Sequence, residues 1–235
     1  MLLYIIRHGD PIYDPDSLTE KGRLQALALA GRLSVHGLDQ IFVSPMIRAQ
    51  QTAAPTCELL HLTPQVEEWT SESLAWDDFA CERDDGSWGW SFHIQSTHYK
   101  TPEILALGSQ WYEAEPFCRT NAKDGYRRIQ QASDAFTLRL GYRREGIIYR
   151  AIQPNDCRVA VFCHQGFGTT WLSHLLAVPP PLFWSSFDLN HSSVTVLHFQ
   201  NNPDGMTAPM CIGLSDVSHL YGDRLPLQFC NTLDI

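Results

Sequence analysis

Residues 2–10 read LLYIIRHGD, an apolar run that ends abruptly on a cation, an imidazole and a glycine. An unbroken run of this kind marks a strand covered on both faces, as in a buried parallel sheet. Residues 40–43 (QIFV) and 157–163 (CRVAVFC) repeat the pattern, and 193–199 (SVTVLHF) and the weaker 207–214 add two more strands. Val66 sits near the end of a further one. Between them lie helical stretches. Residues 18–36 read as a helix capped by Thr19, with Leu24, Leu27, Ala28 and Leu33 along one face and Gly37 just past its end. Ser44-Pro45 reads as a cap and first helical position for a helix running to about Leu60, bent near Pro55. Residues 102–117, 122–143 and 168–178 complete the helices, the last ended by Pro179-Pro180-Pro181. Strands alternating with helices predict one α/β domain over residues 1–235, three layers around a mostly parallel central sheet.

The chain has 235 residues, 44% of them apolar and 18% charged, ordinary values for a globular protein with a sizeable core. Its net charge of −9 argues against nucleic acid, which needs clustered Lys and Arg, and against anionic membranes. A few focused cations still suffice to hold one phosphate. The seven cysteines, Cys57, Cys81, Cys118, Cys157, Cys163, Cys211 and Cys230, include no C-x-x-C pair, and free buried thiols are expected. The ten histidines show no zinc spacing, so no metal and no cofactor is expected. No signal segment and no membrane-length apolar run is seen, which predicts a cytoplasmic protein.

In an open α/β sheet, ligands bind beyond the carboxyl ends of the strands. Three polar clusters fall there: Arg7-His8-Gly9, Ser44-Pro45-Met46-Ile47-Arg48, and His164-Gln165-Gly166. Parallel, adjacent strands gather Arg7, His8, Arg48 and His164 into one crevice. Two guanidinium groups hold phosphate oxygens, and the imidazoles offer a nucleophile and a donor. Each piece alone has a plain structural alternative, as a strand-end turn, a satisfied histidine or a solvated arginine; the joint occurrence fits phosphoryl transfer.

IIRHGD at 5–10, LTEKGRLQA at 18–26, SPMIRAQQTA at 44–53, VFCHQG at 161–166 and GLSDVSHL at 213–220 together resemble the histidine phosphatase superfamily, also called phosphoglycerate mutase-like. The resemblance implies a phosphoglycerate mutase-like fold, with His8 as the nucleophile that becomes phosphohistidine. It implies that Arg7, Arg48 and His164 bind the phosphoryl group. It also implies an acid beyond the third strand, where counting from Val66 reaches Glu72, with Glu68, Asp77 and Asp78 as competitors. A neutral imidazole attacks through one bare nitrogen, so the other nitrogen of His8 is expected to donate to a carbonyl near Gly9. Two positions depart from the family's habit. Asp14 stands where Asn is frequent, and Gln165 follows the second histidine, where its amide is placed to reach substrate.

The resemblance makes 67–125 a lid over the pocket. Residues 66–125 hold ten aromatics, with at least half of the tryptophans expected in the lid's own core, and they carry twelve carboxylates and only four Lys or Arg. A phosphoglycerate mutase needs further cations for its substrate's carboxylate. The expected activity is therefore a metal-independent phosphomonoesterase acting on a small phosphorylated substrate. Mutase-type transfer, a phosphoprotein phosphatase and a binding module without turnover are the alternatives.

Overall fold

The computed structural model describes residues 1–229, 233 and 234 apart from 84, 94 and 95, with backbone alone at 228, 229, 233 and 234. Asp84 and Cys230 therefore lie outside the described residues. The central sheet holds β1 (Leu2–Arg7), β2 (Gln40–Val43), β3 (Gln65–Val66), β4 (Arg158–Cys163), β5 (Val194–His198) and β6 (Met210–Asp216), in the order β6-β5-β1-β4-β2-β3. β1, β4, β2 and β3 pair in parallel, while β5 runs antiparallel between β1 and β6. The mostly parallel α/β architecture is borne out.

Alternation along the strands feeds two cores, one on each face of the sheet. On one face Ile6, Val43 and Phe162 meet α1 (Glu20–Ser34) and α2 (Ile47–Leu60) through Leu29, Leu33, Ala49 and Ala53. On the other, Leu3, Ile5 and Val161 meet α4 (Ala122–Arg139) and α5 (Gln165–Leu175) through Ile129, Phe136, Phe167 and Trp171. Here α3 (Glu72–Phe79) adds Ala75 and Phe79. Among the described residues no helix is long and apolar enough to cross a membrane.

Several elements differ from their expected form. Thr19 does cap α1, accepting from Gly22 N at 3.0 Å. The buried face, however, is Gly22, Gln25, Ala26, Leu29, Ala30 and Leu33, leaving Leu24 46% and Leu27 59% exposed. The rotation is set by the first strand's end. A Cβ on Gly22 would lie 2.2 Å from Asp10 O, so only glycine lets α1 press against that turn. Helix α2 starts at Ile47, with Met46 and not Ser44 at the cap. α5 begins at Gln165, three residues early, because Gly166 and Gly168 mark close packing instead of a loop.

The helix expected at 102–117 is a short α-helix, Pro102–Leu107, followed by tighter turns at Gly108–Glu113. α4 stops at Arg139, and Tyr142–Glu145 then pairs with Ile148–Ala151 in a hairpin that the sequence did not suggest. Cys57, Cys81 and Cys163 are free and buried as expected. Cys157 and Cys211 are free but half-buried, and Cys118 is exposed.

Candidate active site

β1 and β4 run in parallel with Arg7 opposite Cys163. The next residues, His8 and His164, therefore leave adjacent strand ends side by side, with ring centroids 5.2 Å apart. His8 is 3% exposed, and its Nδ1 donates to Gly9 O at 2.7 Å. That bond fixes the tautomer and leaves Nε2 as a bare acceptor. Arg48, in the first turn of α2, donates to this Nε2 from its Nε at 3.2 Å. Burial pushes the His8 pKa well below its usual value, and His164, Arg7 and Arg48 push it the same way. His8 is thus a neutral, oriented imidazole.

Two carboxylates outside the expected set hold the arginines. Asp16 accepts from Arg48 Nη1 at 2.7 Å with one oxygen and from Ile47 N at 2.7 Å with the other, so it also caps α2. Asp14, where the family frequently has Asn, is exposed and does not line the cavity. Arg7 donates to Leu189 O and to His191 Nε2, the latter at 2.7 Å. His191 in turn faces Asp10 Oδ1 at 3.4 Å, and Asp10 is held by Thr19 at 2.7 Å and Lys21 at 3.2 Å.

Ser44, displaced from its expected capping role, shares a 2.7 Å hydrogen bond with His164 Nε2. Ser44 Oγ also accepts from Met46 N at 3.4 Å. His164 Nδ1 is buried with no hydrogen-bond partner among the described residues. A buried polar atom of this kind is costly unless a ligand satisfies it.

Of the four candidate acids, the structure brings Glu72 and Asp77 to the same cavity as Arg7, His8 and Arg48. Glu72 opens α3, and its two oxygens accept from Gly166 N and Phe167 N, each at 2.9 Å. Burial raises its pKa, and the two backbone donors, then Arg48 and Arg7, offset only part of that rise. Asp78 is buried elsewhere, held by Arg128 at 2.8 Å and Asn121 at 2.7 Å. Glu68 is exposed and does not line the cavity. Gln165 reaches the cavity, its amide donating to Asp188 at 2.8 Å. The space enclosed is about 750 Å³. Among the described residues no group of three or more His, Cys, Asp or Glu is arranged to hold a metal ion.

The family pattern of the histidine phosphatase superfamily (branch 1) matches residues 3–207. The chain belongs to this superfamily. It is 27% identical over 198 residues to the adenosylcobalamin/alpha-ribazole phosphatase of Salmonella typhimurium, covering 78% of this chain and 84% of that protein. Among solved structures, the mycobacterial glucosyl-3-phosphoglycerate phosphatase shares the fold with a TM-score of 0.60 at 20% identity, over 91% of this chain and 98% of that one. The phosphoserine phosphatase of Entamoeba histolytica in complex with 3-phosphoglyceric acid does so with a TM-score of 0.60 at 18% identity, over 93% and 98% of the two chains.

In this member of the superfamily, Asp10, Asp16 and His191 escaped sequence reading, and Ser44 was read as a helix cap and not as a partner of His164. Their partners are mostly distant in the chain, and only the Asp immediately after Arg7-His8-Gly9 carried any local hint. His191 has a measurable consequence. Burial first, then Arg7, push its pKa down from 6.5 to about 4. The unfolded chain therefore binds a proton below about pH 6.5 that the folded chain takes up only near pH 4. Stability is full above that window and falls as pH drops through it, by about 1.4 kcal/mol per unit, or about 3 kcal/mol in all from this residue. Urea midpoints of the wild type should fall steeply from pH 7 to pH 4.5. His191→Gln, which does not titrate, should show a shallower fall. Parallel falls in both proteins would assign the acid loss to other groups.

Proposed function

We propose that the protein is a metal-independent phosphatase that hydrolyses a small organic phosphate monoester through a phosphohistidine on His8. The observation that carries this is the tautomer of His8: Nδ1 is spent on Gly9 O, and the unprotonated Nε2 accepts only from Arg48 Nε, beside Arg7 and His164. In the first step the Nε2 lone pair bonds to phosphorus and the bond from phosphorus to the ester oxygen breaks. The departing oxygen takes the proton of Glu72, whose raised pKa favours the acid form. In the second step a water oxygen bonds to phosphorus and Glu72 takes the water's proton. The phosphorus–nitrogen bond breaks, which restores neutral His8 and releases phosphate. Arg7, Arg48 and His164 stabilise the charge on the transferred group, a role that two guanidinium ions fill without a divalent cation.

Residues 67–125 act as the lid, supplying Glu72, Trp76, Asp77, Trp90 and His93 to the cavity wall. Of the five tryptophans in 67–125, Trp111 alone is buried, Trp69 and Trp90 are half-buried and Trp76 and Trp88 are exposed, so fewer than half are core; Phe79, Phe92, Tyr99 and Phe117 are buried with Trp111 in the core that packs on the sheet. Mutase-type transfer is disfavoured because none of the lid's four Lys or Arg lines the cavity, so a substrate carboxylate would find no cation of its own. The partner is a small phosphorylated molecule in the cytoplasm, and neither nucleic acid nor membrane suits a chain of net charge −9. A panel of phosphate esters assayed with a chelator should release phosphate at an undiminished rate, and bisphosphoglycerate should not be needed. Activity lost to the chelator, or transfer to phosphoglycerate in place of water, would overturn the proposal.

A further inference from the structure

Beyond the phosphoryl end, the cavity has a second half with its own chemistry. Trp76 and Trp90 meet there edge to face, with centroids 4.9 Å apart. Trp90 stacks on Phe92 at 4.9 Å, and Phe92 stacks in turn on the buried Trp184 at 4.9 Å. The wall is therefore fixed to the core, although Trp76 itself is 38% exposed. It stands close to the catalytic residues as well: a Cβ on Gly166 would lie 2.9 Å from the Trp90 ring and 3.0 Å from the Glu72 carboxylate. A rigid, half-solvated aromatic wall beside a reacting group gains by covering itself with a flat apolar body. Asp77, next to Trp76 on α3, and Asp188 line the same cavity, burial lowers the His93 pKa, and among the described residues the only Lys or Arg lining the cavity are Arg7 and Arg48, which already surround His8.

We infer that this half of the cavity selects phosphate esters whose alcohol carries an aromatic body and no carboxylate, and that it favours a cationic tail over an anionic one. The inference rests on the phosphatase reading and narrows its substrate class. A carboxylate-bearing ester of the same length as a cationic one would meet Asp77 and Asp188 with like charge, inside a partly dry cavity where such repulsion is only partly screened.

Tyramine phosphate and the phosphate of para-hydroxyphenylpropionate test the charge selection, because they share an aryl phosphate and differ only in the sign of the tail. The amine should be preferred in kcat/KM by roughly tenfold at low salt, with the ratio shrinking as salt is added. Asp77→Asn combined with Asp188→Asn should bring the ratio close to one. A wild-type ratio at or below one, or a ratio that the double variant leaves untouched, would overturn the charge selection. Propyl and phenylpropyl phosphate test the wall. Trp76→Ala should raise KM several-fold for the phenyl ester and barely for the propyl ester, whereas equal effects would reject a ligand-binding role for the wall. Cresyl phosphate, which has no charged tail, separates the two levels of argument: if it is not hydrolysed, the phosphatase reading fails. Even then the selectivity is read from Kd values of the two charged esters on His8→Ala, where equal affinities would refute it.

Discussion

His8→Ala protein is expected to fold normally and to release no phosphate. The side chain lies at the wall of an open cavity, and its loss leaves the strand pairing of β1 with β4 and β5 untouched. Removing a nucleophile that acts together with its neighbours costs roughly 10⁵–10⁶ in kcat. Arg48→Ala should cost less, roughly 10²–10³, as the loss of one strong donor to the transferred charge. The two variants also differ in kind. Wild-type protein quenched during turnover should carry acid-labile, base-stable phosphate, and His8→Ala should carry none. Arg48→Ala keeps the nucleophile and should still be labelled, only slowly. Label that survives acid, as a phosphoserine does, would move the covalent step away from His8. Equal loss in both variants with no label in either would point to a shared structural collapse, which circular dichroism and a urea melt would reveal.

The elements that mount this chemistry were legible because their signals are local. β1, β2 and β4 are unbroken apolar runs, and each ends on the residues that reach the site. Thr19 and Gly37 mark the end regions of α1 by backbone rules that need no partner. The face that α1 buries was not legible. Leu24 and Leu27 look like core residues, yet Gln25 turns inward to accept from Asp10 N at 2.8 Å, and Gly22 fits under the same turn. A contact with the first strand's end overrode the apolar pattern. Ser44 shows the same conflict in one residue. Locally Ser-Pro reads as a helix cap, but a histidine 120 residues away takes the hydroxyl, and Asp16 supplies the cap instead. Arg7 and Arg48 were visible as cations after strands, whereas the groups that aim them, His191 and Asp16, have no motif of their own. Residues 67–125 were the least legible part, since their aromatics carry no period and their order comes from packing on one another and on Trp184.

Glu72→Gln is expected to separate substrates by the quality of their leaving group. An alkyl phosphate departs as an unstable alkoxide unless a proton arrives with it, while p-nitrophenolate leaves unaided. Glutamine keeps the length of Glu72 and one oxygen for Gly166 N or Phe167 N, but it has no proton to give and cannot take one from water. Formation of the phosphohistidine from an alkyl ester should slow by roughly 10²–10⁴, and from p-nitrophenyl phosphate by roughly tenfold or less. The second step needs the same carboxylate as a base, so the p-nitrophenyl reaction should change character: a burst of nitrophenol should precede a slow steady state as phosphohistidine accumulates. The pH profile follows from the direction of the Glu72 shift. Burial raises its pKa, so the acid form persists to higher pH than for an ordinary carboxyl group. Formation of phosphohistidine from alkyl esters should then fall on the basic side as Glu72 ionises, and Glu72→Gln should erase that limb. Equal slowing of both substrates without a burst would make Glu72 a group that positions α5 through its first amides and would not leave it the proton donor. In that case Asp77, the other carboxylate of the four that lines the cavity, is the residue to which the same comparison passes.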